Sequence, residues 1–109
     1  MSISIVLPVF NEEAHLKKTN QNIIKAIKKS KIINYEIIFI NDCSTDGSNK
    51  ILKELKKNNK KIRVYNNFTN IGQGLSIQRG YKVAKKNYVC WIPSDNNLKY
   101  QEIVKFLKD

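Results

Sequence analysis

Residues 35–47, YEIIFINDCSTDG, join a continuous apolar run to a polar segment that ends in glycine. A strand buried on both faces of a parallel sheet requires such an uninterrupted apolar run. Residues 3–8 (ISIVLP) and 88–92 (YVCWI) have the same character, and residues 62–65 (IRVY) form a shorter run. These four runs predict four β-strands.

Helical patterns separate the predicted strands, and each has an apolar stripe with Lys or Asn at other positions. The stripes are Leu16, Ile23, Ile24 and Ile27; Ile51, Leu52 and Leu55; Ile77, Tyr81 and Ala84; and, after the last strand, Ile103, Val104 and Leu107. Strands that alternate with such helices run parallel and are joined by right-handed crossovers. The sequence therefore predicts an α/β fold, with about four parallel strands in a single domain over residues 1–109.

Charge and length exclude several classes of protein. The 109 residues carry 20 Lys and Arg against 9 Asp and Glu, a formal net charge of +11. Only Arg63 and Arg79 are arginines, and the Lys runs lack aromatic neighbours, so solvated helix faces explain them better than a nucleic-acid partner does. No apolar run reaches the ~20 residues of a membrane span, and no basic segment precedes the first run, which favours a cytoplasmic protein. Attraction to anionic lipid at the inner face of a membrane is a secondary expectation.

Polar clusters follow every predicted strand, at residues 8–13, 41–47, 66–74 and 93–97. In an open parallel sheet the carboxyl ends of the strands lie along one rim, and ligands bind there. We therefore expect the functional residues of this chain on that rim.

Two carboxylates on the rim are candidate binding residues. Asp42 stands between a buried strand and the helix cap expected at Ser44 or Thr45, so a base or ribose could be hydrogen-bonded there by a fixed carboxylate. Asp46 is expected in the first turn of that helix, close to the positive end of its dipole. Asp95 follows the fourth strand, where a carboxylate can bind Mg²⁺ or Mn²⁺, although a turn or helix cap is the alternative role.

Three glycines border the third predicted helix. Gly72 and Gly74 permit a tight loop whose backbone N–H groups lie close to a helix start, where a phosphate could bind. Gly80 is expected to let the helix approach the sheet closely. Their spacing forms neither a dinucleotide-binding fingerprint nor a P-loop.

Four further residues are expected to have structural roles. His15 is expected on the surface, and Cys90, Trp91 and Tyr88 are expected in the core. Cys43 and Cys90 have no metal-ligand spacing, and we expect both to be reduced.

Four segments in order carry a family resemblance: residues 3–12 (ISIVLPVFNE), 38–47 (IFINDCSTDG), 70–74 (NIGQG) with Gly80, and 91–95 (WIPSD). They resemble the signatures of family 2 glycosyltransferases with the GT-A fold. Any one motif alone would be weak, but four in the right order are specific. The resemblance implies a Rossmann-like, nucleotide-binding half of a GT-A catalytic domain.

The resemblance also implies a transferase that uses a UDP- or GDP-sugar donor and a saccharide, lipid or polyprenyl-phosphate acceptor. It implies that Asp42 grips the base and that Pro8, Phe10 and Glu12 line the nucleotide pocket. Asp95 would bind Mg²⁺ or Mn²⁺ as the last residue of the family's D-x-D element. The net charge of +11 would help to gather an anionic donor.

The chain departs from the family pattern at three positions. Asn41 replaces the first of two frequent aspartates, Cys43 replaces a common glycine, and Pro93 replaces the first Asp of D-x-D, which leaves Asp95 as the one clear metal ligand. The acceptor site and the general base are expected beyond Asp109, so the chain alone is expected to bind donor but to transfer sugar poorly. An incomplete domain could also expose apolar surface and self-associate.

Two other functions fit the same fold class. The first is a non-catalytic nucleotide-binding or interaction module, which the loss of a carboxylate at Pro93 would allow. The second is a receiver-like signalling domain, but the rim lacks the clustered aspartates and the strand-end lysine that such a domain needs.

Overall fold

The computed structural model describes residues 1–108, in which four parallel strands alternate with four helices. In chain order the elements are β1 (Ser2–Val9), α1 (Leu16–Lys29), β2 (Asn34–Asn41), α2 (Ser48–Asn58), β3 (Ile62–Asn66), α3 (Gln73–Val83), β4 (Tyr88–Trp91) and α4 (Tyr100–Lys108). The strand order is β3-β2-β1-β4, and every neighbouring pair is parallel. The predicted α/β fold is confirmed.

The two faces of the sheet are covered by different helices. The larger core cluster contains Ile5 and Leu7 of β1 together with apolar residues of α1, α2 and α4. The smaller cluster contains Val6 of β1 and Ile38 of β2, with Val83 of α3 packed against it. Since alternate residues of β1 and β2 face opposite clusters, both strands need the uninterrupted apolar runs seen in the sequence.

β4 lies at an edge of the sheet, and the prediction that Tyr88 and Trp91 belong to the core is wrong. Tyr88 is 60% exposed and Trp91 is 39% exposed. Within residues 1–108, β4 pairs only with β1, so its outer side has no neighbouring strand to cover these rings. Cys90, between them, is half-buried as a small apolar residue, and burial raises the pKa of its thiol to about 11.

α3 packs on the sheet through small residues, which the predicted stripe did not include. Ser76 and Gly80 are its buried residues, whereas Tyr81 is 44% exposed and Ala84 lies beyond the helix as its C-cap. A Cβ atom added at Gly80 would lie 2.3 Å from Cγ1 of Val6. The predicted role of Gly80 in close helix–sheet approach is therefore confirmed.

α2 begins at Ser48, later than the sequence pattern predicted. Its N-cap is Gly47, so neither Ser44 nor Thr45 caps the helix. Asp46 precedes the first turn, and its Oδ1 atom accepts a hydrogen bond from the Ser48 backbone N–H at 2.9 Å. Residues 44–46 instead form hydrogen bonds with Asn11, in the loop after β1.

α4 closes the fold as predicted. Ile103 and Leu107 are buried in the larger cluster, and Glu102 lies in the first turn. Among residues 1–108, no helix combines the length and the apolar character needed to cross a membrane.

A buried ion pair secures the amino end of the sheet. Glu36 is 5% exposed and accepts hydrogen bonds from Ser4 Oγ at 2.6 Å, the Lys85 N–H at 2.7 Å and Arg63 Nη1 at 2.8 Å. Burial alone would raise the pKa of Glu36, but these hydrogen bonds and the Arg63 charge outweigh it, so the pKa is lowered. This cluster joins three strands at the end opposite to the predicted rim site.

The two glycines of α3 should respond differently to replacement by alanine. Gly80→Ala sets a methyl group against the stiff, buried Val6 side chain and should cost about 1–3 kcal/mol of unfolding free energy. Gly74→Ala meets no atom within 4 Å and should be neutral or stabilise the protein by up to about 1 kcal/mol, because alanine favours helix. Denaturant unfolding measures both values. Equal destabilisation by the two variants would contradict the packing of α3 described above.

Candidate functional site

The carboxyl ends of the strands enclose a cleft of about 390 Å³. The loops after all four strands contribute to its lining. The predicted site residues that line the cleft are Pro8, Phe10, Glu12, Asp42, Gly72 and Asp95, while Gly74 lies outside it in the first turn of α3. Asp42 and Asp95, which are far apart in sequence, therefore share one cleft.

Asp42 extends from the end of β2 and is 4% exposed. Its Oδ1 atom accepts hydrogen bonds from Asn67 Nδ2 at 3.0 Å and from the Ile71 N–H at 2.8 Å. Its Oδ2 atom accepts one from the Gly72 N–H at 2.9 Å. Burial alone would raise the pKa of Asp42, but the hydrogen bonds outweigh it and lower the pKa, so the group is a carboxylate at neutral pH.

Gly72 adopts a conformation that glycine favours. Its φ angle is +90°, and this geometry turns its N–H towards Asp42. The sequence suggested that the backbone N–H of Gly72 could bind a phosphate. In the structure this N–H donates to the carboxylate of Asp42. The loop between β3 and α3 is thereby tied to the end of β2.

Asn67 is a site residue that sequence reasoning missed. Besides the bond to Asp42, its Nδ2 atom donates to Ser76 Oγ at 3.1 Å, and its Oδ1 atom accepts from Arg79 Nη1 at 2.5 Å. The sequence placed Asn67 in a polar rim segment that contains other asparagines, and nothing in the local pattern set it apart.

Asp95 lies in the loop between β4 and α4 and is partly buried. Its Oδ1 atom accepts from the Asn97 N–H at 3.0 Å, and Oδ2 accepts from Asn97 Nδ2 at 2.9 Å. The alternative turn-forming role is therefore present. Each oxygen retains acceptor capacity, because a carboxylate offers about four acceptor positions in total.

Ser94 anchors the loop that bears Asp95, and sequence reasoning missed this residue as well. Its hydroxyl donates to the Pro8 carbonyl at 2.7 Å, and its own carbonyl accepts from Thr19 Oγ1 at 3.1 Å. Ser94 is buried, so these bonds tie the loop to the end of β1 and to α1. Its pattern in the sequence, a serine in a turn segment, gave no sign of this role.

Glu12 has a buried carboxylate oxygen that lacks a hydrogen-bond partner among the described residues. Its Oε2 atom is buried and has no hydrogen bond. Burial raises the pKa of Glu12, the negative charge of Asp95 raises it further, and His15 acts in the opposite direction. A positive charge in the cleft would give the Glu12 Oε2 atom a partner and would lower the pKa of Glu12. Within residues 1–108 there is no cluster of three or more His, Cys, Asp or Glu residues arranged for a metal ion.

Asn11 joins the first two rim loops. It has a positive φ of 53°, which Asn tolerates better than most residues, and its Oδ1 atom accepts from the Thr45 N–H at 2.7 Å and the Asp46 N–H at 3.3 Å. Its own N–H donates to Ser44 Oγ at 3.0 Å. These contacts hold residues 44–46 against the end of β1, which explains why α2 starts at Ser48.

A second cavity, of about 420 Å³, lies between α2 and β3. Its lining includes Asn49, Lys53 and Lys56 and contains none of the predicted site residues. Asn67, whose side chain contacts Asp42, also lines this cavity, so only its α2 residues Asn49, Lys53 and Lys56 supply a reference surface for binding experiments.

The comparisons with known proteins agree with the fold. The chain is 34% identical over 92 residues to YkcC, an uncharacterized glycosyltransferase of Bacillus subtilis (strain 168), a match that covers 84% of this chain. The chain spans 28% of the length of that relative.

Two solved structures share the fold. S. aureus TarS 1–349 in complex with UDP has a TM-score of 0.71 at 23% identity, covering 87% of this chain and 28% of that chain. The mannosyltransferase PcManGT of Pyrobaculum calidifontis, in complex with GDP-Man and Mn²⁺, has a TM-score of 0.75 at 15% identity, covering 85% of this chain and 27% of that chain. These likenesses support the predicted GT-A fold.

The family model described as "Glycosyl transferase family 2" matches residues 4–109, which is almost the whole chain. The chain therefore belongs to glycosyl transferase family 2.

Proposed function

We propose that this chain is the donor-binding part of a glycosyltransferase that uses a UDP- or GDP-sugar. The observation that carries the proposal is the position of Asp42 and Asp95 in the lining of one cleft at the carboxyl rim of the sheet. This is where open α/β sheets bind ligands. Family membership favours this function over a non-catalytic interaction module with the same fold.

The nucleoside would bind at the Asp42 end of the cleft. Three of the roughly four acceptor positions of the Asp42 carboxylate are filled by the chain, and the remaining one is on Oδ2. It can accept one N–H from a base or one hydroxyl from a ribose. Phe10 lines the same cleft with 49% of its surface exposed, so its ring is available to stack on a base.

The diphosphate would bind at the Asp95 end of the cleft, together with Mg²⁺ or Mn²⁺. The residues present fit such an ion, because the unpartnered Glu12 Oε2 atom and the Asp95 carboxylate are hard oxygen donors in one cleft. Glu12 would thus supply the second carboxylate that Pro93 removes from the D-x-D pattern. When bound, the ion would stabilise the negative charge of the leaving nucleoside diphosphate.

Sugar transfer needs a general base and a site for the acceptor, in addition to the donor site. An acceptor hydroxyl must lose its proton as it attacks the sugar, and Asp42 is unsuited to be the base because its lowered pKa makes it a weak one. We assign the base and the site for a saccharide, lipid or polyprenyl-phosphate acceptor to further parts of a longer protein. We propose that the net charge of +11 attracts the protein to anionic lipid at the inner face of a membrane.

Nucleotide binding should depend on Asp42. Calorimetry with UDP and GDP should show binding of at least one, and Asp42→Asn should weaken it about tenfold or more, because a hydrogen bond to a charged group is lost. Asp46→Asn is the matched control, since Asp46 is a rim aspartate outside the cleft lining, and it should leave the affinity unchanged. Equal affinities for the wild type and Asp42→Asn would contradict the assignment of Asp42.

Cation binding should depend on Glu12 and Asp95. Titration of Mn²⁺, followed by electron paramagnetic resonance, should show weaker binding in Glu12→Gln and in Asp95→Asn but not in Glu54→Gln, an exposed residue of α2. The metal needs an ionised carboxylate, and burial together with the charge of Asp95 raises the pKa of Glu12 from the ordinary value of a glutamate. As the pH is lowered, Mn²⁺ affinity should therefore begin to fall at a higher pH than it would with a glutamate of ordinary pKa. The absence of any change in Glu12→Gln would refute this metal assignment.

A further inference from the structure

Asn67 is held in place by the sheet on one side and by α3 on the other. Its N–H donates to the Asn41 carbonyl at 2.9 Å, one step beyond the paired residues of β2 and β3. Its carbonyl accepts the Cys43 thiol at 3.1 Å. These two bonds therefore fix the backbone of Asn67 independently of its side-chain contacts.

The side-chain amide of Asn67 lies between opposite charges. A guanidinium group can only donate and a carboxylate can only accept, so the amide oxygen must face Arg79 and the amide nitrogen must face Asp42. Both charged groups select the same orientation of the amide. The cation at the oxygen also polarises the amide, which strengthens its N–H as a donor to the carboxylate.

Arg79 has a second contact that restrains it. Its guanidinium carbon lies 5.4 Å from the centroid of the Tyr65 ring, whose other cationic neighbour is Arg63 at 5.2 Å. A guanidinium group that packs on an aromatic ring has already lost much of its rotamer freedom, so a hydrogen bond to a further residue costs less entropy. Arg79 thus meets Asn67 from a fixed position on α3.

The bond from Asn67 decides which part of Asp42 stays available. Together with the Ile71 N–H it fills Oδ1, so the free acceptor position is on Oδ2. Without Asn67, Oδ1 would regain an acceptor position, and the carboxylate would lose its only side-chain donor among residues 1–108.

We propose that Asn67 and Arg79 are positioning residues, with Arg79 fixing the Asn67 amide and the amide fixing Asp42 for a nucleoside. The part that concerns nucleoside binding rests on the proposed function. The part that concerns Asp42 itself does not need a ligand.

The ligand-free part is tested by NMR titration of the Asp42 carboxyl carbon in variants whose amide spectra show a native fold. Asn67→Ala and Arg79→Ala should each raise the pKa of Asp42, and Arg79→Lys, which can still donate, should restore most of the wild-type value. Lys82→Ala is the charge-matched control, because Lys82 is an exposed cation of α3, and it should have no effect. An unchanged Asp42 pKa in Arg79→Ala would overturn the proposal.

The ligand-dependent part is tested by a double-mutant cycle on UDP or GDP affinity. Each single alanine variant should weaken binding about tenfold, the loss expected for one charge-assisted hydrogen bond. The double variant should have the same nucleotide affinity as the single variant that binds less tightly, because Arg79 acts through Asn67. Additive losses would overturn the proposal. If the wild-type chain binds neither nucleotide, the proposed function fails, and the NMR titration alone then decides the positioning role.

Discussion

The rim of this sheet depends on one buried negative charge, the carboxylate of Asp42. A carboxylate that is 4% exposed stays ionised only if hydrogen bonds replace the water it has lost. The loop between β3 and α3 supplies them, through the Ile71 and Gly72 N–H groups and the Asn67 amide. This requirement accounts for the positive φ of Gly72 and fixes one wall of the cleft.

Two carboxylates of the cleft have opposite environments. Asp42 is satisfied by three donors and its pKa is lowered, whereas Glu12 has a buried oxygen without a partner and its pKa is raised. Asp42 is therefore a fixed acceptor with one position left on Oδ2, and Glu12 gains from the arrival of a positive charge. A nucleotide bound with a metal ion would suit both carboxylates. The nucleoside would donate a hydrogen bond to Asp42, and the ion would bring a positive charge to Glu12.

The sequence predicted the strands, the class of fold and the rim at which the candidate cleft lies, because these follow from local apolar patterns and from the geometry of parallel sheets. It could not predict that β4 is an edge strand, since strand order depends on tertiary packing, and this is why Tyr88 and Trp91 were misplaced. It also missed the roles of Asn67 and Ser94. A serine or asparagine that bridges distant loops has the same local pattern as one in a solvated turn.

Amide NMR spectra recorded during a titration with UDP or GDP and the diamagnetic ion Mg²⁺ report on every loop of the rim at once, and they therefore test whether the cleft is the donor site. The donor-site assignment requires that the shifts concentrate at Phe10, Gly72 and Asp95, and that the signals of Asn49 and Lys53 in the second cavity stay unchanged. Shifts confined to the second cavity, or spread over the surface without the cleft residues, would contradict it.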